Sequence, residues 1–321
     1  MAEALAFFVL GLVLLALGGD SIVKGASGLA QRFGASPFVA GLLLVAFGTS
    51  LPELAVNARA IWTGNPALAL GNAVGSNVAN FGLTLGLAAL TAPLLVGWRA
   101  LAPLLLCFIV GSVAVIGFGL DGALNRWEGL ILILAFVAVL AFALARTRRE
   151  APEVQDAIAA FTRTSDNLGL NLVRFAIAIA LLFFGARIVV EHAPTIGLAM
   201  GMEPMLTGLL VVAIGTALPE VAAAIAAARR GHGGMVAGHV IGSSLFNLLL
   251  ILGGMAAFSG TGELALPASF VRFELPAALA FAVALYPMLR GDLRISRKEG
   301  GILFVAFLAW LAFELWISHR G

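Results

Sequence analysis

The chain has 321 residues, of which 61% are apolar and 11% charged, with a formal net charge of +2. Soluble globular proteins are nearer half apolar and a quarter charged, so this balance excludes a soluble enzyme and a disordered scaffold. A disulfide-framed secreted module is excluded as well, since Cys107 is the single cysteine. The basic residues lie in short loops between apolar runs rather than in a patch, so no nucleic-acid partner is expected. Strands alternating apolar and polar residues are missing too, which disfavours an outer-membrane barrel.

About 20 mostly apolar residues span a hydrocarbon core of about 30 Å as a helix. In chain order, ten apolar segments can be counted, with approximate cores at 4–19, 37–62, 68–90, 99–120, 128–146, 168–190, 204–228, 236–257, 268–289 and 299–317. The first lacks the basic flank of a secretory signal and reads as a retained span. Between the fifth and sixth lies the one long polar stretch, with Arg148, Arg149, Glu150, Glu153, Asp156 and Arg163. The expected organisation is a five-helix unit over 1–146, a cytoplasmic linker over 147–167, and a second five-helix unit over 168–321. Trp62, Trp98, Trp127, Trp310 and Trp316 fall near span ends and read as interface anchors.

The two halves repeat. Residues 45–54 read VAFGTSLPEL and residues 212–221 read VAIGTALPEV; residues 71–80 read GNAVGSNVAN and residues 238–247 read GHVIGSSLFN. One offset relates Pro37 to Pro204, Gly41 to Gly208, Glu53 to Glu220, Ser76 to Ser243 and Asn80 to Asn247. A single offset held over that length is the mark of duplication. Five spans per half force the second half to enter the membrane from the opposite side. The fold class expected is therefore an all-α membrane protein, ten transmembrane helices in two inverted five-helix repeats, with broken helices at the midplane. If both termini face outside, only Arg59, Arg126, Arg187, Arg272 and Arg320 of the 19 Lys and Arg lie outward. That asymmetry places the polar linker in the cytoplasm.

Glu53 and Glu220 are the acidic residues set well inside apolar spans. A carboxylate at mid-bilayer costs at least about 2.5–3.5 kcal/mol, and neither has a Lys or Arg in its motif. The missing positive charge is expected to arrive as a cation or as protons. Each glutamate follows a proline, which has no N–H, so Pro52 and Pro219 deprive the Gly48 and Gly215 carbonyls of helical partners. Freed carbonyls at this depth are tolerated where protein or a water-filled cavity satisfies them. They would stand beside Thr49, Ser50 and Glu53, and beside Thr216 and Glu220. Ser76 and Asn80 are four apart, as are Ser243 and Asn247, so each pair shares a helix face; Asn77 and Ser244 stand one position round. All these donors are hard oxygens, suited to calcium or sodium and unsuited to softer metals.

The paired GTSLPE-like and GSN-x-x-N-like motifs, in ten spans with a cytoplasmic divide, resemble the α-repeats of the sodium/calcium exchangers, within the calcium/cation antiporter superfamily. The resemblance is strongest over 36–90 and 203–257. It implies alternating access, in a multi-pass protein of the cell membrane, with sodium entry driving calcium out. No cofactor is expected, and no enzymatic activity, since the spans carry no Ser/Lys or Ser/His dyad and no HExxH motif; the partners are the lipid bilayer and the two transported ions, and the working unit is expected to be a monomer. By this resemblance Glu53 and Glu220 are the central calcium ligands, shared with sodium. Thr49, Thr216 and Ser50 would add hydroxyl or carbonyl oxygens, Ser76 and Ser243 would complete flanking sodium sites, Asn80 and Asn247 would line the middle, and Ala46 and Ala213 would offer backbone carbonyls. Ala217 stands where the family usually has serine, which removes one hydroxyl from the second half. Asn247 stands where several relatives have Asp, which argues for independence from potassium. The Gly-Asn-x-x-Glu signature of calcium/proton exchangers is absent, since Gly75 closes the stretch that begins at Gly71.

Plainer readings stand beside these. A proline alone is often a simple kink, and a serine alone often a packing residue. His239 reads as a packed or interfacial histidine and His232 as solvated. Asp20, Glu128, Glu191, Glu203, Glu274 and Glu314 lie near span ends, where a wet interface is the default. The rival functions are the same fold coupled to protons or carrying another cation such as manganese or magnesium, and a non-transporting membrane scaffold.

Overall fold

The computed structural model describes residues 1–32, 50–96, 101–147, 164–165 and 167–318. Nearly all of them are helical. Helix α1 spans Ala2–Arg32 and α2 spans Leu51–Trp62. A tight turn with Gly64 in the left-handed region (φ +77°) leads into α3, Pro66–Thr91. Strand β1 (Leu94–Leu95) precedes α4, Leu101–Asp121, and β2 (Ala123–Asn125) precedes α5, Arg126–Thr147. The second half follows the same plan with α6 (Leu168–Ala199), α7 (Pro204–Arg229), α8 (Gly233–Ala257), β3 (Glu263–Ala265), α9 (Phe270–Arg290), β4 (Arg294–Ile295) and α10 (Arg297–Ser318). Among the described residues nine helices are long and apolar enough to span a membrane, and α2 is the described part of the remaining span. The polar stretch 148–163 lies outside the described residues.

Two short antiparallel strand pairs tie the halves together. Leu94 pairs with Ile295 and Leu95 with Arg294, joining β1 to β4; Ala123 to Asn125 pair with Ala265 to Glu263, joining β2 to β3. If each helix crosses the membrane once, both partners of a pair fall on one face, while β1 and its repeat-mate β3 fall on opposite faces. The pairing is therefore what an inverted duplication requires. The helix starts repeat as well. The Glu128 carboxylate accepts from the Asn125 N–H at 2.8 Å and that of Glu299 from the Ser296 N–H at 2.7 Å, two reciprocal caps at the heads of α5 and α10. Glu128, read as a wet interface residue, is a structural cap.

Packing shows the same two-fold relation. A Cβ on Gly185 would come within 2.9 Å of Leu15, and one on Gly18 within 2.9 Å of Leu182. Leu15 and Gly18 correspond to Leu182 and Gly185 in the repeat, so α1 and α6 cross through one symmetric pair of knobs and gaps. Gly71 and Gly75 of α3 meet the Met205 and Leu209 carbonyls of α7, while Gly208 of α7 meets the Leu68 carbonyl. Small residues permit this approach, which in a membrane takes the place of a hydrophobic driving force. The result is a central layer: 83% of the membrane window of α3 and of α8 is buried, against 22% for α5 and α10. The two helices that carry the Ser and Asn motifs are the core of the molecule.

Both α1 and α6 outrun their apolar cores. Lys24 pairs with Asp20 at 2.6 Å and Arg187 approaches Glu191 at 3.8 Å, each four residues apart on one helix face, so charge did not end either helix.

Candidate ion site

Helix α2 begins beside its glutamate. Ser50 occupies the N-cap position, Pro52 sits in the first turn where no N–H is needed, and Glu53 follows in that same turn. The positive end of the helix dipole favours an anion there. In the second half the chain runs as a π-helical segment, Thr207–Val212, and then as α-helix through Pro219 to Arg229. The two prolines therefore act differently: Pro52 starts a helix, while Pro219 lies inside one and leaves the Gly215 carbonyl without its usual donor.

The core helices are also irregular at the motif. Ala79–Thr84 of α3 and Phe246–Ile251 of α8 are π-helical, with the Leu85 N–H bonded to the Asn80 carbonyl and the Leu252 N–H to the Asn247 carbonyl. Such segments recur at functional sites because they add one residue to a turn and re-aim its side chains. Here they carry Asn80 and Asn247.

Ser50, Glu53, Ser76, Asn80, Ala213, Thr216, Ser243 and Asn247 are all buried. The Ser50 hydroxyl donates to Ser243 Oγ at 2.8 Å and the Asn80 amide donates to the same oxygen at 3.1 Å, so a serine of the second half gathers two groups of the first. The Thr216 hydroxyl donates to the Ala213 carbonyl at 3.2 Å. The Glu220 charge bears on Glu53, and the Thr216 side chain lies against the Glu53 carboxylate. Thr49 and Ala46 lie outside the described residues. Of the eleven residues singled out by motif and resemblance, nine are described; eight of these are buried and Glu220 is half-buried.

No Lys or Arg pairs with either glutamate among the described residues; His239 approaches Glu220, with Nε2 at 3.5 Å from Oε1. Several oxygens are left without a protein hydrogen-bond partner: Glu53 Oε2, Glu220 Oε1, Ser76 Oγ and Asn247 Oδ1. Buried polar atoms are normally satisfied, and a cluster of acceptor oxygens that are not is a fit for a hard cation.

Three features were not legible beforehand. His239, read as a packed or interfacial histidine, lies against the Glu220 carboxylate. Its repeat-mate Asn72 donates instead to Asn57 Oδ1 at 3.0 Å, one turn beyond Glu53, in a fully buried pair. Glu274 and Glu314, read as wet interface residues, are each 5% exposed, and Trp310, read as an interface anchor, is 8% exposed. Trp62, Trp127 and Trp316 are exposed as anchors should be, and Trp98 lies outside the described residues.

The halves also differ in cover. Along α2, Leu51, Pro52, Ala55, Val56 and Arg59 are buried or half-buried, packed toward α6. The corresponding residues of α7, Leu218, Pro219, Ala222, Ala223 and Ala226, are all exposed, Leu218 by 55%.

The sequence model described as "Sodium/calcium exchanger protein" matches residues 3–145 and again residues 170–316, once on each half. The chain belongs to the sodium/calcium exchanger family. It is similar to the inner membrane protein YrbG of Escherichia coli, at 32% identity over 99% of this chain and 98% of that one. It is also similar to the sodium/calcium exchanger MaX1 of Methanosarcina acetivorans, at 29% over 96% and 97%. Among solved structures, the sodium-calcium exchanger NCX_Mj soaked with sodium and strontium aligns with a TM-score of 0.67, at 29% identity, covering 97% of this chain and 98% of that one. As a member of the exchanger family the chain is a multi-pass membrane transporter, and its ten helices form two inverted repeats.

Proposed function

We propose that this protein is a secondary-active antiporter that exchanges sodium for calcium by alternating access. The observation that carries the reading is the pair of glutamates, Glu53 buried and Glu220 nearly so, with no Lys or Arg partner among the described residues and with carboxylate oxygens unmatched. One calcium, or sodium ions taken together, neutralises the same two charges. Either load can cross, while the empty charged carrier faces the full desolvation cost. In this reading Glu53 and Glu220 hold calcium and share sodium. Thr49, Thr216 and Ser50 add hydroxyls or carbonyls, Ser76 and Ser243 flank, Asn80 and Asn247 line the middle, and Ala46 and Ala213 supply carbonyls. No cofactor takes part.

The five-helix units are 1–146 and 168–321, acting as a monomer in the cell membrane, with termini outside and the 147–167 linker in the cytoplasm. In that orientation the covered face of α2 leads outward from the site and the uncovered face of α7 leads inward. The conformer described is then closed to the outside and open to the cytoplasm, and α1 with α6 are the elements that move to reverse it. Any net charge moved per cycle adds about 2.3 kcal/mol per 100 mV to the driving force.

Reconstituted vesicles test this. Calcium uptake driven by an imposed outward sodium gradient and insensitive to a proton uncoupler is the expected result. Uptake that follows only a pH gradient assigns the same fold to proton coupling, and no ion flux with an intact fold assigns a scaffold.

A further inference from the structure

Away from the carboxylates, a half-open cavity of about 440 Å³ lies between the end of α2, the turn into α3, and α6, lined by Arg59, Thr63, Asn65, Arg187, Val190, Glu191 and Pro194. Two guanidinium groups from different helices face it. Arg187 has one loose neighbour, Glu191 at 3.8 Å. The Arg59 guanidinium has no hydrogen bond or ion pair among the described residues, and its Nε is buried and unmatched.

The usual task of an arginine in a last helical turn is already filled. The final carbonyls of α2 accept from the Thr63, Gly64 and Asn65 N–H groups, and the Arg59 carbonyl also accepts the Thr63 hydroxyl at 2.9 Å. The head of α3 is uncapped, because the Asn65 amide turns back to the Thr63 carbonyl and hydroxyl instead of reaching the first turn. That leaves a positive helix end beside two guanidiniums, with one carboxylate against them. Trp62, 85% exposed, sits in the same turn and marks headgroup depth. The repeat offers no copy of this site, since Ala226 and Asp20 stand where the first has Arg59 and Arg187.

We propose that this cavity binds a phosphate group, taken either from a phospholipid headgroup or from free phosphate, with Arg59 and Arg187 as its ligands. Planar guanidiniums match a tetrahedral oxyanion by paired N–H donors, which a lysine or a water cannot reproduce. Bound there, the anion bridges α2, the helix of Glu53, to α6, and holds the outer side closed. That consequence rests on the exchange reading; the binding does not.

Binding is tested on the purified full-length protein by thermal unfolding, free of calcium, with inorganic phosphate added in detergent and, separately, in vesicles of phosphatidylcholine with and without phosphatidylglycerol. Stabilisation of the wild type is expected. Arg59→Gln and Arg187→Gln are expected to weaken the half-saturating phosphate at least about tenfold, and Arg59→Lys, which keeps the charge, to weaken it less. Response to the anionic lipid alone assigns a headgroup, to phosphate alone a free anion, and to both a site that accepts either. No response of the wild type to either, or an unchanged response in both Gln variants, overturns the proposal. A flux assay with the two vesicle types then reads the latch: slower calcium exchange with phosphatidylglycerol, relieved in Arg59→Gln, supports it. Absence of exchange in every vesicle refutes the exchange reading and leaves the binding result standing.

Discussion

The Ser50 hydroxyl donates to Ser243 Oγ at 2.8 Å, across the two halves of the chain, and the Asn80 amide shares that acceptor. Ser243→Ala would strand two buried donors at about 1–3 kcal/mol each, so the ion-free protein should melt at lower temperature. Ser76 is the repeat-mate, but its oxygen has no protein partner. Ser76→Ala should leave ion-free stability nearly unchanged and reduce the stabilisation that sodium gives. Equal losses in both variants without ions would make Ser76 a packing residue.

Glu53→Gln and Glu220→Gln each remove a charge that no Lys or Arg among the described residues balances, at a site where each carboxylate costs at least about 2.5 kcal/mol. Both variants should insert, match or exceed the ion-free stability of the parent, and lose ion-dependent stabilisation together with flux. Melting curves with and without calcium read the first effect and vesicle uptake the second. A variant that unfolds without ions would mean that the carboxylate holds the helices together.

Removing the ions should itself be destabilising. A ligand at 100 times its dissociation constant adds about 2.7 kcal/mol to native stability, so chelation in sodium-free buffer should lower the melting temperature. Titration with calcium or sodium should each restore it, and saturating calcium should cancel the further effect of sodium. Additive stabilisation would place the two ions at independent sites, against one shared cage.

The central layer is set by backbone contact. Gly71→Ala drives a methyl group into the Met205 carbonyl, which cannot yield as a side chain would. A loss of at least about 1–3 kcal/mol is expected from overpacking. Gly254, in α8 with nothing near its missing Cβ, is the control. Gly254→Ala should gain about 0.5–1 kcal/mol from helix propensity, and the two melting temperatures should move in opposite directions.

The repeat motif, the membrane spans and the burial of Glu53 and the motif Ser and Asn residues were legible because each is written in residue type and spacing. Glu53 and Glu220 stand out as charges in apolar runs, and a fixed offset declares the duplication. The π-helical segments at Asn80 and Asn247 were not legible, because an added residue in a turn has no composition of its own. Asn80 therefore reaches Ser243 of the other half, which the spacing to Ser76 alone could not foretell. The burial of Glu274, Glu314 and Trp310 was hidden for another reason. Distance from a span end says how deep a residue lies, while burial depends on which neighbouring helix covers it. Charges near the ends of α1 and α6 misled in the opposite sense, since Asp20 with Lys24 and Arg187 with Glu191 satisfy one another along the helix and allow it to continue.

The crossed strands have a consequence for assembly. Each ribbon takes one edge from either half, β1 with β4 and β2 with β3, so a half made alone leaves raw edges at both rims of the bilayer. Two fragments severed between 148 and 163 and produced side by side would find in each other the only mates for those edges. Two halves produced together are therefore expected to reassemble through this seam, and neither half alone to fold stably.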